Sequence, residues 1–169
     1  MNDDESPDWN QIVERHGQRV FRVALRIVGS VQDAEDLAQD VFAEAYRLHG
    51  VGPVQTWAGL LVRLATVRAI DRLRRRRPAG ELRDGDRPST VGPFEEAAAA
   101  ELAHWLRGAI AQLPDRQATV FAMFHFEQLT RQQIAVGIGI SPEAVSTALH
   151  KARQRLMSQL AVFNRGDWK

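Results

Sequence analysis

The feature that most restricts this chain is the spacing of its apolar residues, which recur at steps of three and four and never convincingly at steps of two. That period belongs to amphipathic helices, which turn one apolar stripe toward a core, and it argues against a sheet protein. From Trp9 the positions Ile12, Val13, His16, Val20, Ala24, Ile27 and Val28 form one such stripe, which Gly29-Ser30 ends. A second helix is expected from about Asp33, burying Ala34, Leu37, Ala38, Val41, Phe42 and Ala45, until the Gly/Pro run His49-Gly-Val-Gly-Pro53 breaks it. A third runs from about Gln55 to Arg77, with Trp57, Leu60, Leu61 and Leu64 on one side. Helical signal resumes at Phe94 and lasts to about Gln112, and further segments cover 115–127, Thr130 to Val136 and Ser141 to about Phe163. The class is all-α.

One stretch interrupts the pattern. Residues 78–93, PAGELRDGDRPSTVGP, hold almost nothing a core could use and read as a flexible linker. The expected organisation is therefore two small helical domains, 1–77 and 94–169, joined by that linker. With 44% apolar residues in 169, the chain has material for one core or two small ones. It has no cysteine, which excludes disulfides, thiolate metal sites and a cysteine nucleophile. No apolar run approaches the roughly 18 residues of a membrane span, and the acidic start MNDDESPDW lacks the pattern of a signal peptide. A soluble, cytoplasmic protein is expected.

The net charge of +1 conceals a strong segregation. Residues 1–50 hold ten acids against five arginines, whereas residues 51–87 hold nine arginines against four acids, with Arg74 to Arg77 consecutive. Charge divided in this way points to two different partner surfaces. In the acidic helix DAEDLAQDVF, residues Asp36, Gln39 and Asp40 fall at i, i+3 and i+4 and share a face opposite Leu37, Val41 and Ala45. No histidine or oxygen-rich loop joins them to suggest a metal site, so the face is either solvated or a protein-docking surface. In WAGLLVRLATVRAIDRLRRRR, the residues Arg63, Arg68, Arg72, Arg74, Arg75 and Arg76 ride one helix, and Asp71 can pair with Arg74 or Arg75. That stripe can track a phosphate backbone or merely solubilise a helix end.

The sharpest local signal lies near the C-terminus. Thr130 and Gln133 have the spacing of a reciprocal capping box, Gly137-Ile-Gly-Ile140 makes a turn, and Ser141 caps a helix whose first position is Pro142. The last helix buries Val145, Leu149, Ala152 and Leu156 and shows Ser146, Thr147, His150, Lys151 and Arg153 on its other face. Two helices joined by a tight Gly-containing turn, the second exposing polar and basic groups, describe a helix-turn-helix, since an α-helix fits the major groove of DNA. An ordinary helical hairpin with a wet polar face has the same pattern.

These three segments, in this order, resemble the σ subunits of bacterial RNA polymerase, specifically the extracytoplasmic-function (ECF) group of the σ70 family. The resemblance covers about Trp9 to Leu160. DAEDLAQDVF looks like the family's region 2.2 and TWAGLLVRLATVRAIDRLRRRR like regions 2.3 and 2.4. The stretch LPDRQATVFAMFHFEQLTRQQIAVGIGISPEAVSTALHKARQRL looks like region 4. It implies a σ2-like bundle and a σ4-like helix-turn-helix domain. It implies that Asp36, Gln39 and Asp40 dock onto the clamp helices of the polymerase's largest subunit, with the flap as a further contact. The loop from His49 to Thr56 and the helix after it would engage the −10 element, with Arg63, Arg68, Arg72, Arg74 and Arg75 on its backbone. The helix from Ser141 would read the −35 element, with Glu143, Ser146, Thr147 and His150 near bases and Arg131, Lys151 and Arg153 near phosphates. An anti-σ partner is implied as well. Catalysis belongs to the polymerase, so the chain itself is expected to be no enzyme and to carry no cofactor, metal or catalytic residue. Two other readings fit parts of the sequence. A stand-alone helix-turn-helix regulator accounts for 115–160 and leaves the acidic helix without a task, and a divergent σ-like interaction protein would bind partners without initiating transcription.

Overall fold

The computed structural model describes residues 8–50, 54, 56–76 and 93–166. Residues 78–92 of the expected linker, Arg77 and most of the loop 51–55 lie outside the described residues, and Pro93, expected to end the linker, begins a helix. Seven α-helices and no strand occur among those described: α1 (Trp9–Val28), α2 (Val31–His49), α3 (Trp57–Arg75), α4 (Pro93–Ala111), α5 (Asp115–His125), α6 (Arg131–Ile138) and α7 (Pro142–Gly166). None of them is long and apolar enough to cross a membrane.

Local chemistry sets the helix starts. Asp8, Ser30, Thr56 and Thr130 each accept a hydrogen bond from a backbone N–H of the first turn, satisfying donors that have no partner inside the helix. The expected capping box is formed in both directions, Gln133 N–H to Thr130 Oγ1 at 3.1 Å and Thr130 N–H to Gln133 Oε1 at 2.9 Å. Ser141 Oγ accepts from Ala144 N–H at 3.1 Å, so α7 starts at Pro142 as its sequence demands. Gly29 closes α1 and Gly139 closes α6 in the left-handed region, at φ 73° and 71°, where a Cβ would be strained. The second helix begins at Val31, two residues before the position expected from sequence, because Ser30 and not a later residue supplies the cap.

Helices α1, α2 and α3 pack together, as do α5, α6 and α7, and α3 also packs against α4, α5 and α6. Buried residues of both groups join in one contiguous core, from Ile27 and Leu61 to Ile110, Met123 and Leu149. Each fully buried aliphatic side chain of this kind contributes roughly 1.5–3 kcal/mol. Two expectations change here. Val13 is 37% exposed and Val23 takes a core position instead. Helix α3 has no single apolar side, since Val62, Ala65, Thr66, Ala69 and Ile70 are buried alongside Leu61 and Leu64. A helix between two groups of helices must bury more than one stripe.

Across the seam between α1–α3 and the later helices, three arginines donate to the carbonyls of a helix C-terminus. Arg74 donates to Ala111 O at 3.2 Å and Leu113 O at 2.8 Å beyond α4, and to Asp115 Oδ1 at 2.5 Å. Arg107 of α4 donates to Ile27 O of α1 at 3.2 Å. Arg26 of α1 donates to Phe126 O, the C-cap of α5, at 2.6 Å and to Glu127 Oε1 at 3.0 Å. Glu127, whose side chain is only 7% exposed, also faces Arg19 at 3.9 Å. Gly29 permits the Arg107 contact, since a Cβ there would collide with the guanidinium carbon. Gly29→Ala should therefore lower stability by about 1 to 2 kcal/mol through left-handed strain alone, with the displaced arginine adding to it. Gly108→Ala, with open space around it inside α4, should raise stability by up to ~1 kcal/mol. Denaturant unfolding of the two variants checks both signs.

Candidate functional site

The acidic face of α2 forms as its spacing requires. Asp36, Gln39 and Asp40 are all exposed, while Leu37, Val41 and Ala45 are buried behind them. Asp33, one turn earlier, is buried and paired with Arg76 and with Arg72 at 3.9 Å. Its position in the first turn also suits the positive end of the helix dipole. Arg72 lies 3.9 Å from Asp36 too, so the acidic face of α2 and the basic helix α3 touch through this residue. Among the described residues no cluster of histidines and acids could hold a metal ion.

The arginines of α3 divide into two groups. Arg63 and Arg75 are exposed. Arg68 makes a two-pronged contact with Glu44, Nε to Oε2 and Nη2 to Oε1, both at 2.7 Å. These bonds are the largest cause of a Glu44 carboxyl held below its usual range and of an Arg68 guanidinium made still harder to deprotonate. Arg72 is tied to Asp33 and Asp36, and Arg74 to the second group of helices, as described above. Asp71 faces Arg68 at 3.8 Å and Arg74 at 3.9 Å, so the expected alternative of Arg75 is replaced by Arg68, one turn back. Where α1 and α3 begin and α2 ends, Trp9 packs edge-on against Phe42, Tyr46 and Trp57, with centroids 6.2, 5.1 and 5.5 Å away. Trp57 is thus half-buried and packs against the core.

In the second group, α6 and α7 form the helix-turn-helix pair. Glu143, Ser146, Thr147, His150, Lys151 and Arg153 are all exposed on α7, and Arg131 is exposed at the first position of α6. The buried set Val145, Leu149, Ala152 and Leu156 is as expected, with Ala148 added. Sequence spacing does not disclose Phe124 and His125, at the end of α5. The guanidinium carbons of Arg131 and Arg153 lie 5.5 and 5.3 Å from the Phe124 ring centroid. Arg153 Nη2 is also 3.4 Å from His125 Nε2. These contacts span three helices, so no local period betrays them.

His125 is held below its ordinary pKa by burial and then by Arg153, and His16 by burial and then by Arg15 and Arg19. Both rings stay neutral in the folded chain at pH values where the unfolded chain already takes up protons, near 6.5. The unfolded state then binds more protons, so stability falls as pH drops through that value and is unaffected above it. Replacing both histidines with asparagine should flatten the loss of stability just below neutral pH. The Glu44 contribution disappears only lower, as pH falls through the carboxylate range. Unfolding midpoints measured across pH separate the two windows.

Comparison with known proteins agrees with this arrangement. Residues 12–78 match the family described as Sigma-70 region 2, and residues 103–156 match Sigma-70, region 4. The ECF RNA polymerase sigma factor SigE of Mycolicibacterium smegmatis is 31% identical over 163 residues, covering 92% of this chain and 62% of that protein. The ECF RNA polymerase sigma factor SigW of Bacillus subtilis is 28% identical over 163 residues, covering 88% of this chain and 87% of that one. The chain thus spans less than two thirds of the first relative and most of the second. A solved structure of CnrH in complex with the cytosolic domain of CnrY shares the fold, with a TM-score of 0.60 at 21% identity over 91% of this chain and 88% of the other. A region 2 bundle and a region 4 helix-turn-helix in one chain, with relatives of the ECF group along nearly its whole length, place it in the σ70 family, among the ECF σ factors.

Proposed function

We propose that this chain binds core RNA polymerase and directs it to a dedicated promoter by recognising −10 and −35 elements. The observation that carries the reading is the presence, in one small chain, of two separate open surfaces of opposite character. The α2 face offers Asp36, Gln39 and Asp40 to a basic partner, and the α7 face offers Ser146, Thr147, His150, Lys151 and Arg153 to a duplex. A simple repressor has use for the second only. In this reading the acids dock on the clamp helices of the largest polymerase subunit, region 4 also meets the flap, and α7 lies in the major groove of the −35 element. Base edges fall to Glu143, Ser146, Thr147 and His150, and phosphates to Arg131, Lys151 and Arg153.

The −10 strand falls to α3. Arg63 and Arg75 are ready for phosphate, whereas Arg68, Arg72 and Arg74 hold protein acceptors in this arrangement. For Arg74 to reach DNA, its bonds beyond α4 must be exchanged for phosphate oxygens, which requires the two groups of helices to separate along that seam. A protein that sequesters the chain through the same surfaces belongs to this reading. The chemistry of RNA synthesis stays with the polymerase.

Transcription by reconstituted core polymerase plus the purified chain on fragments of its own genome tests the reading. Discrete start sites are expected, and a chain that neither co-migrates with core enzyme nor yields a start site overturns it. Replacing Asp36 and Asp40 together with arginine should abolish co-migration while leaving the helical circular dichroism unchanged. Replacing Ser146 and Thr147 with alanine should alter −35 preference, read from the spectrum of start sites, with core affinity unaffected.

A further inference from the structure

Arg131 and Arg153 come from different helices, α6 and α7, yet both bring their charge to one ring at the end of α5. Their guanidinium carbons lie 5.5 and 5.3 Å from the centroid of Phe124, which is itself half-buried among core residues. Arg153 has a second anchor in His125 Nε2, 3.4 Å from its Nη2, and the His125 ring packs on Phe121 at 4.4 Å and on Phe124 at 5.1 Å. Neither arginine is in an ion pair with a carboxylate among the described residues. Both are exposed, unlike the half-buried Arg68 and Arg72, which the chain pairs with Glu44 and Asp33. Two cations gathered on one ring repel each other, and an anion bound beside them would relieve that repulsion.

A guanidinium stacked on an aromatic face uses its plane for the ring and keeps its N–H edge for acceptors, and the forked edge fits phosphate oxygens. Both residues flank the exposed α7 face, where Lys151 adds a third cation. We propose that Phe124 is a positioning residue for DNA: its ring holds Arg131 and Arg153 together so that both grip the phosphodiester backbone beside α7. The inference rests on the reading of α7 as a duplex-binding helix. An arginine free in solvent must surrender the freedom of a long side chain on binding, and one already stacked surrenders less.

The test uses the full chain and a fluorescent duplex of random sequence, titrated over a range of potassium chloride concentrations, because backbone contacts do not need a promoter. For every phosphate the chain ceases to neutralise, the slope of log affinity against log salt should shrink by about 0.9. Phe124→Leu should weaken binding roughly 3- to 10-fold and move the slope toward that of Arg131→Ala with Arg153→Ala. Phe124→Trp should restore both, and Phe124→Leu should have no further effect in the double-arginine background. A packing role alone would lower thermal stability and leave the slope in place, so an unchanged slope, or an equal weakening in that background, overturns the proposal. Inorganic phosphate added at constant ionic strength should displace the duplex no better than chloride, and strong displacement would make this a site for free phosphate and overturn the backbone assignment. If the wild-type chain ignores the duplex at every salt concentration, the reading of α7 fails and Phe124's role falls with it. Wild-type binding without a Phe124 effect removes this proposal alone.

Discussion

The arrangement of the molecule depends on guanidinium groups docked against the ends of helices. The last carbonyls of a helix have no partner within it and carry the negative end of its dipole, so they accept best from a forked cation. Arg74, Arg107 and Arg26 each supply such a cation across the seam, to the ends of α4, α1 and α5. Apolar burial supplies most of the driving force for packing α3 against its neighbours, but it is not directional. The arginine contacts fix which helix end faces which, and with that the positions of the α2 and α7 faces relative to each other.

The same residue type therefore serves two purposes in one chain. On α3, Arg68 and Arg72 bind the acids of α2, Arg74 bridges to the second group, and Arg63 and Arg75 remain in solvent. Arg72 is the hinge of this division, because it contacts both the buried Asp33 and the exposed Asp36. A partner that competes for Asp36 changes the surroundings of a cation on the adjacent helix, so the acidic and basic surfaces are electrostatically connected despite their opposite tasks.

Much of this is legible from local spacing. Caps at Thr130 and Ser141, the break at Gly29 and the buried stripe of α7 all depend on residues within four positions of each other, and the sequence states them directly, whereas the turn expected over 137–140 begins later, since α6 runs through Gly137 to Ile138. Helix α3 is less legible, since a one-sided stripe is the signature of a helix covered on one side, and α3 is covered on several. The acidic face of α2 follows from its spacing, but its link to Arg72 joins residues on separate helices and leaves no periodic trace. The contacts of Arg26 with Phe126 and Glu127 span a hundred positions, and the ring of Phe124 collects cations from two later helices. Such contacts are products of tertiary packing, and only the folded chain discloses them.

The seam has a lopsided tolerance for change. Its acceptors are mainly peptide carbonyls at Ile27, Ala111, Leu113 and Phe126, which any amino acid at those positions would provide. The donors to those carbonyls are three particular side chains, for which lysine lacks the planar fork. Sequence drift at the helix ends can therefore leave the joint intact so long as the backbone keeps its course, whereas drift at Arg26, Arg74 or Arg107 cannot.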